Sequence, residues 1–136
     1  QFNRWAKYEA ALEAVLGMAD PELIVIEGYG FASQSLGDLV ELGTHLKRML
    51  WRKGYPWVEL TPNGLKKFCT GKGAGPKDVI MMEAYKRFGI DTQDNNQTDA
   101  AVLAYAGAAL LGWGCVPKLP QNHLDALKGL KVPACN

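Results

Sequence analysis

Two carboxylates stand where a protein could do chemistry. The first is Glu27 in LIVIEG, where Leu23, Ile24, Val25 and Ile26 run straight into an acid and then Gly28. Such a run predicts a fully buried strand. In open α/β sheets, sites form beyond the carboxyl ends of strands, so an acid there has a rigid mount and faces a crevice. A buried carboxylate without a partner is costly, so this one calls for a cation or a metal unless it simply faces solvent. The second is Asp99 in QTDAAVLAYAGAALLG, at the start of a helix that is otherwise small and apolar. The helix dipole favours an acid in the first turn, and Thr98 and Asp99 could equally serve as plain caps. Asp94, Asn95 and Asn96 add oxygen donors just before it. Hard oxygen ligands of this kind suit Mg²⁺ or Mn²⁺ rather than zinc.

Other motifs carry less. TGKGAGPKD, from Thr70 to Asp78, resembles a phosphate cradle but lacks the spacing and the Ser or Thr of a Walker A loop. With Lys66, Lys67, Lys72 and Lys77 close by, it reads better as a contact to a nucleic-acid backbone. The Gly28–Gly30 pair is not a dinucleotide fingerprint, because Ser33 stands where the third glycine belongs. His45 and His123 are far apart in sequence and read as structural, and the three cysteines (Cys69, Cys115, Cys135) read as free thiols.

The elements that must position these residues alternate. Trp5, Tyr8, Leu12, Val15 and Leu16 mark an amphipathic helix over residues 4–16. The LIVIE strand follows Asp20-Pro21. Ser33 or Ser35 could cap a second helix with Leu36, Leu39, Val40, Leu46, Met49 and Leu50 inward, ended by Gly54. Trp57–Leu60 is a second strand, stopped by Thr61-Pro62, and a short helix covers Pro62–Phe68. Pro76 suits the first turn of the next helix, with Val79, Met82, Tyr85 and Phe88 inward and Gly89 as the stop. A helix from Thr98 to Leu111 and a short one carrying Leu124, Leu127 and Leu130 complete the chain. Two strands joined through a helix should be parallel. Two strands alone do not make a stable sheet, so a strand-bearing piece is expected before Gln1.

With 136 residues, 48% of them apolar, the chain has enough for one folded domain over residues 1–136. No apolar run is long enough to span a membrane, and the absence of a signal peptide makes the cytoplasm the default address. The net charge is only +1, but Lys47 to Lys77 contains eight basic residues (Lys47, Arg48, Arg52, Lys53, Lys66, Lys67, Lys72, Lys77) against Glu59 alone. That concentration fits a polyanion partner, or else an ordinary solvated surface.

The order LIVIEGYGFA, SLGDLVELGTHLKRML, TPNGLKKFCTGKGAGPKD, TDAAVLAYAG resembles RuvC-type Holliday junction resolvases, over residues 20–130 or so. The tail LPQNHLDALKGL is similar to the bacteriophage and prophage branch. The resemblance implies an α/β, ribonuclease-H-like fold: a mixed sheet with helices on both faces, its first three strands antiparallel and preceding Gln1. It implies four acidic positions holding two divalent ions, with Glu27 and Asp99 matching two of them. The position three residues before Asp99 is usually Asp or His and is here Asn96, so the amide oxygen of Asn96, or else Asp94, would have to serve. The first acid would lie before Gln1. The family also dimerises, which makes Ser35–Trp51 the candidate interface.

The expected activity is therefore divalent-metal-dependent hydrolysis of branched DNA, with Glu27, Asp99 and Asn96 at two Mg²⁺ or Mn²⁺ ions and Lys66, Lys67, Lys72 and Lys77 on the phosphates. The setting would be bacterial or phage-infected cytoplasm. Two rivals stand beside it: a non-catalytic branched-DNA-binding relative, and a nucleotide-binding metabolic α/β enzyme using the Gly28 loop. Branched-DNA affinity that falls steeply with salt is expected of both DNA-binding readings. An affinity indifferent to salt would return the metabolic enzyme to first place.

Overall fold

The protein is described here by a computed structural model covering residues 2–30 and 35–134. Ser33 and Cys135 lie outside those residues. Helix α1 (Phe2–Ala19) leads into strand β1 (Ile24–Glu27), helix α2 (Leu36–Lys53) and strand β2 (Trp57–Leu60). Helices α3 (Pro62–Thr70), α4 (Lys77–Phe88) and α5 (Asn95–Leu110) follow, then a short α6 (Gln121–Leu124) and one 3-10 turn (Asp125–Leu127).

The two strands pair in parallel, with Ile24 opposite Trp57 and Glu27 opposite Leu60. The Gly28 N–H donates to the Leu60 carbonyl at 2.8 Å, so the ladder continues one step past Glu27. A Cβ at Gly28 would meet only ordinary contacts, so crowding does not demand glycine there. Side chains alternate across a strand. Ile24 and Ile26 face α1 and α2, where they pack with Leu16, Met49 and Leu50. Val25 and Leu60 face the opposite way, into a larger core built by α3, α4 and α5. Helices thus cover both faces of the parallel pair, and the fold is α/β.

β1 is not the fully buried strand that LIVI predicts. Ile24, Val25 and Ile26 are half-buried and Glu27 is exposed, because among the described residues only one edge is paired. The other edge opens onto an apolar groove lined by Leu16, Leu23, Val25, Ala104 and Gly107, among others. Tyr8 and Val15 on α1, and Leu39 and Val40 on α2, are likewise exposed rather than inward. α1 and α2 pack chiefly on each other, through Glu9 and His45 (2.7 Å) and Glu13 and Lys53 (3.2 Å) as well as apolar contacts.

The larger core centres on Phe68, fully buried and stacked on Phe88 at 5.7 Å between ring centroids. α4 buries Ile80, Ala84 and Phe88, a stripe at four-residue spacing. Val79 is only half-buried and Met82 and Tyr85 are exposed, so the inward face is rotated by one residue from the predicted one. Pro76 caps α4 rather than sitting in its first turn, and Gly89 ends it in the left-handed region. Thr61 caps α3 by accepting from the Gly64 N–H, with Pro62 in the first turn.

The tail closes over the end of α3. His123 is buried with Nδ1 at 2.9 Å from the Phe68 carbonyl, and the Asn122 amide donates to the Gly71 carbonyl. Leu124 and Leu127 pack on the core from two short turns instead of one helix, and Leu130 lies beyond both. No described helix is long and apolar enough to cross a membrane.

One contact sets the spacing between sheet and helix. A Cβ on Gly107 of α5 would lie 2.9 Å from a methyl of Val25. Gly107→Val should force α5 off β1 and cost about 1–3 kcal/mol in denaturant unfolding. Unchanged stability would mean that α5 does not seat on β1 this closely.

Candidate metal and phosphate site

Three helices converge beyond the carboxyl end of β1, each offering one face at helical spacing. α3 contributes Pro62, Leu65 and Lys66; α4 contributes Lys77, Ile80 and Met81; α5 contributes Asn95, Thr98 and Asp99. Each trio is i, i+3, i+4, the spacing that places side chains side by side. Glu27 enters from the sheet, and together these residues line a cavity of about 280 Å³. Its apolar floor is Leu65 and Ile80, both buried, and its polar groups are two carboxylates, two ammoniums, an amide and a hydroxyl.

Local chemistry frees Asp99 for this position. The cap of α5 is Asp94, whose carboxylate accepts from the Asn96 and Gln97 N–H groups at 2.7 and 3.1 Å. Neither Thr98 nor Asp99 caps the helix. The buried Thr98 hydroxyl donates to the Asp94 carbonyl at 3.0 Å, and Asp99 is the fifth residue of α5. The dipole field is concentrated in the first turn, so Asp99 owes little of its placement to it. Asp94, engaged as the cap, does not line the cavity.

The predicted residues divide. Glu27, Asp99, Lys66 and Lys77 come together. Asn96 is exposed and outside the lining, while its neighbour Asn95 is half-buried and inside it. Lys67 projects from α3 close enough to Asp125 to act on its charge, and Lys72 is exposed in the loop between α3 and α4. The basic run from Lys47 to Lys77 is therefore not one patch. Lys47 pairs with Glu59 and Lys53 with Glu13 on the α1–α2 side. The sequence offers Asn95 only as one of three oxygen donors before Asp99; starting α5 at Asn95 rather than Thr98 puts it four residues before Asp99, on the same face.

The acids do not share the cavity at ease. Burial, and then the charge of Asp99, raise the Glu27 carboxyl above its ordinary range, with Lys66 pulling the other way. Burial likewise raises Asp99 against the pull of Lys77 and Lys66. Cys69, on the buried face of α3, is pushed up to about 12 by burial, then by Glu83, and is no nucleophile. No three His, Cys, Asp or Glu side chains cluster as a ready metal site among the described residues. Two carboxylates and the Asn95 amide are nevertheless oxygen donors in one cleft. Mg²⁺ is commonly held by one or two carboxylates, with water and substrate phosphate completing its shell, so the donor set fits such an ion.

No family model matches the chain, and no curated protein matches it. Solved structures do. Thermus thermophilus RuvC aligns with a TM-score of 0.67 at 22% identity, covering 81% of this chain and 70% of that one. T. thermophilus RuvC in complex with Holliday junction substrate aligns with the same TM-score and coverage at 20% identity. The chain shares the RuvC fold.

The raised carboxyls give a sign that can be checked. A folded pKa above the unfolded one means that stability is full below the ordinary carboxylate range and is lost as pH rises through the folded value. Without divalent metal, Glu27→Gln should therefore be more stable than the parent at pH 7, and the gap should close as pH falls below about 4. A variant less stable than its parent at pH 7 would show that Glu27 is held by favourable partners instead.

Proposed function

We propose that this protein is a divalent-metal-dependent endonuclease for branched DNA, four-way junctions above all. The observation that carries the reading is the cleft itself. A strand-end carboxylate and a helix carboxylate meet two lysines in a cavity open to solvent, at the end of the sheet where α/β sites form. The junction substrate of T. thermophilus RuvC, which has the same fold, favours branched DNA over other polyanions.

In this reading Glu27 and Asp99 hold Mg²⁺ or Mn²⁺, with two ions as the expected complement and an amide oxygen from Asn95 or Asn96 beside them. Such an ion supplies Lewis-acid charge at the scissile phosphate and acidifies a bound water. Lys66 and Lys77 grip phosphate oxygens at the cleft, and Lys67 and Lys72 track the backbone outside it. The apolar floor limits water around the reacting group, which strengthens every charge interaction there. Pairing two copies through Ser35–Trp51 would present two clefts to two strands. The sequence tail points to the phage and prophage branch, and work in recombination and repair would place the protein in bacterial or phage-infected cytoplasm.

One observation favours a second reading. Only two carboxylates line the cleft among the described residues, and Asn96 is exposed, which would suit a relative that binds branched DNA without cutting it.

A junction-cleavage assay separates them. Cleavage by the intact protein should require Mg²⁺ or Mn²⁺. Glu27→Gln or Asp99→Asn should lower it by about 10²–10³-fold or more, because an ion contributes several kcal/mol to the transition state. Junction binding should survive in both variants. Undiminished cutting by either would remove that residue from the site, and binding without metal-dependent cutting by the parent would favour the second reading.

A further inference from the structure

The cleft is formally neutral, since Glu27 and Asp99 face Lys66 and Lys77 across it. Lys66 is the shared partner: it stands on the same α3 face as Pro62 and Leu65, half-buried, and its charge acts on both carboxylates. Lys77, at the first position of α4, acts on Asp99. A divalent ion entering between the acids must therefore meet two ammoniums close to its own ligands. A phosphodiester must meet two carboxylates close to the lysines that would grip it. Each ligand removes what opposes the other. A phosphate draws the ammoniums away and leaves the acids to the cation, and a cation occupies the acids and leaves the ammoniums to the phosphate.

We propose that Lys66 is a built-in counter-ion of Glu27 and Asp99, so that divalent cation and phosphodiester bind weakly alone and each strengthens the other. The inference rests on the nuclease reading, since it concerns the same cleft. Such coupling is reciprocal by linkage, and its usual size is about 5–150-fold. It makes Lys66 a positioning residue for the cation as well as a phosphate contact. It would also keep the cleft from holding an ion until DNA arrives.

The test is calorimetric titration of Mn²⁺ into the intact protein, alone and bound to a four-way DNA junction made with phosphorothioate linkages to slow its hydrolysis. The parent should bind Mn²⁺ about tenfold or more tightly when the junction is present. Lys66→Gln should bind Mn²⁺ about tenfold more tightly than the parent without DNA, and the gain on adding DNA should shrink. Lys66→Arg, which keeps the charge, should behave like the parent. Parent affinity indifferent to the junction, or Lys66→Gln no tighter than the parent while both still bind junction, would overturn the coupling and leave the nuclease reading standing. A parent that binds neither Mn²⁺ nor junction would overturn both.

Discussion

Glycine at position 107 lets α5 come down on Val25, and the geometry of the cleft follows from that approach. β1 carries Glu27 on the same face as Val25, two residues on, so the helix that rests on Val25 is also the one that flanks the acid. Eight residues before Gly107, about two turns back along α5, stands Asp99. Ala106, Gly107 and Ala108 are all buried, and a bulkier helix would hold Asp99 away from the sheet. The small apolar run that looked like mere packing in the sequence thus fixes the separation of the two carboxylates.

The remaining walls are positioned by the larger core. Phe68, Phe88 and Tyr105 tie α3, α4 and α5 together by ring contacts, and His123 closes the α3 carboxyl end by pairing with the Phe68 carbonyl. Because the three helices are locked to one another, their i, i+3, i+4 faces converge on one cleft. The cost is electrostatic. Burial disfavours both carboxylates, and their mutual repulsion adds to it at Glu27. The two lysines offset part of this. In the proposed reading, this electrostatic cost suits the cleft to cationic and anionic ligands together.

Much of this was legible in the chain. β2, with its stop at Thr61-Pro62, and the ends of α2 and α4 at Gly54 and Gly89 all follow from turn chemistry that acts over a few residues. Glu27, Asp99, Lys66 and Lys77 were singled out from residue type and place in the element order. What the sequence hid depends on contacts between elements. The burial of β1 turns on which of its edges is paired, and a run such as LIVI reads the same either way. The inward face of α4 differs from its apolar pattern by one residue because α3 and α5 select Ile80 and Ala84, not the larger Met82 and Tyr85. Asn95 could not be told from its neighbours because the three polar residues before Thr98 read as loop, whereas Asp94 caps there and makes them the first turn of α5. The order of motifs already points to this fold, which T. thermophilus RuvC shares.

In the proposed reading, Glu27 and Asp99 together hold divalent cation in the cleft. The direct measurement is a crystal of the intact protein soaked in Mn²⁺, with anomalous difference density located at the manganese edge. A peak is expected inside the cleft, within coordination distance of an oxygen from each carboxylate, and should disappear in Asp99→Asn. A peak confined to other surface acids, or none while the parent still cleaves junctions with Mn²⁺, would contradict that reading.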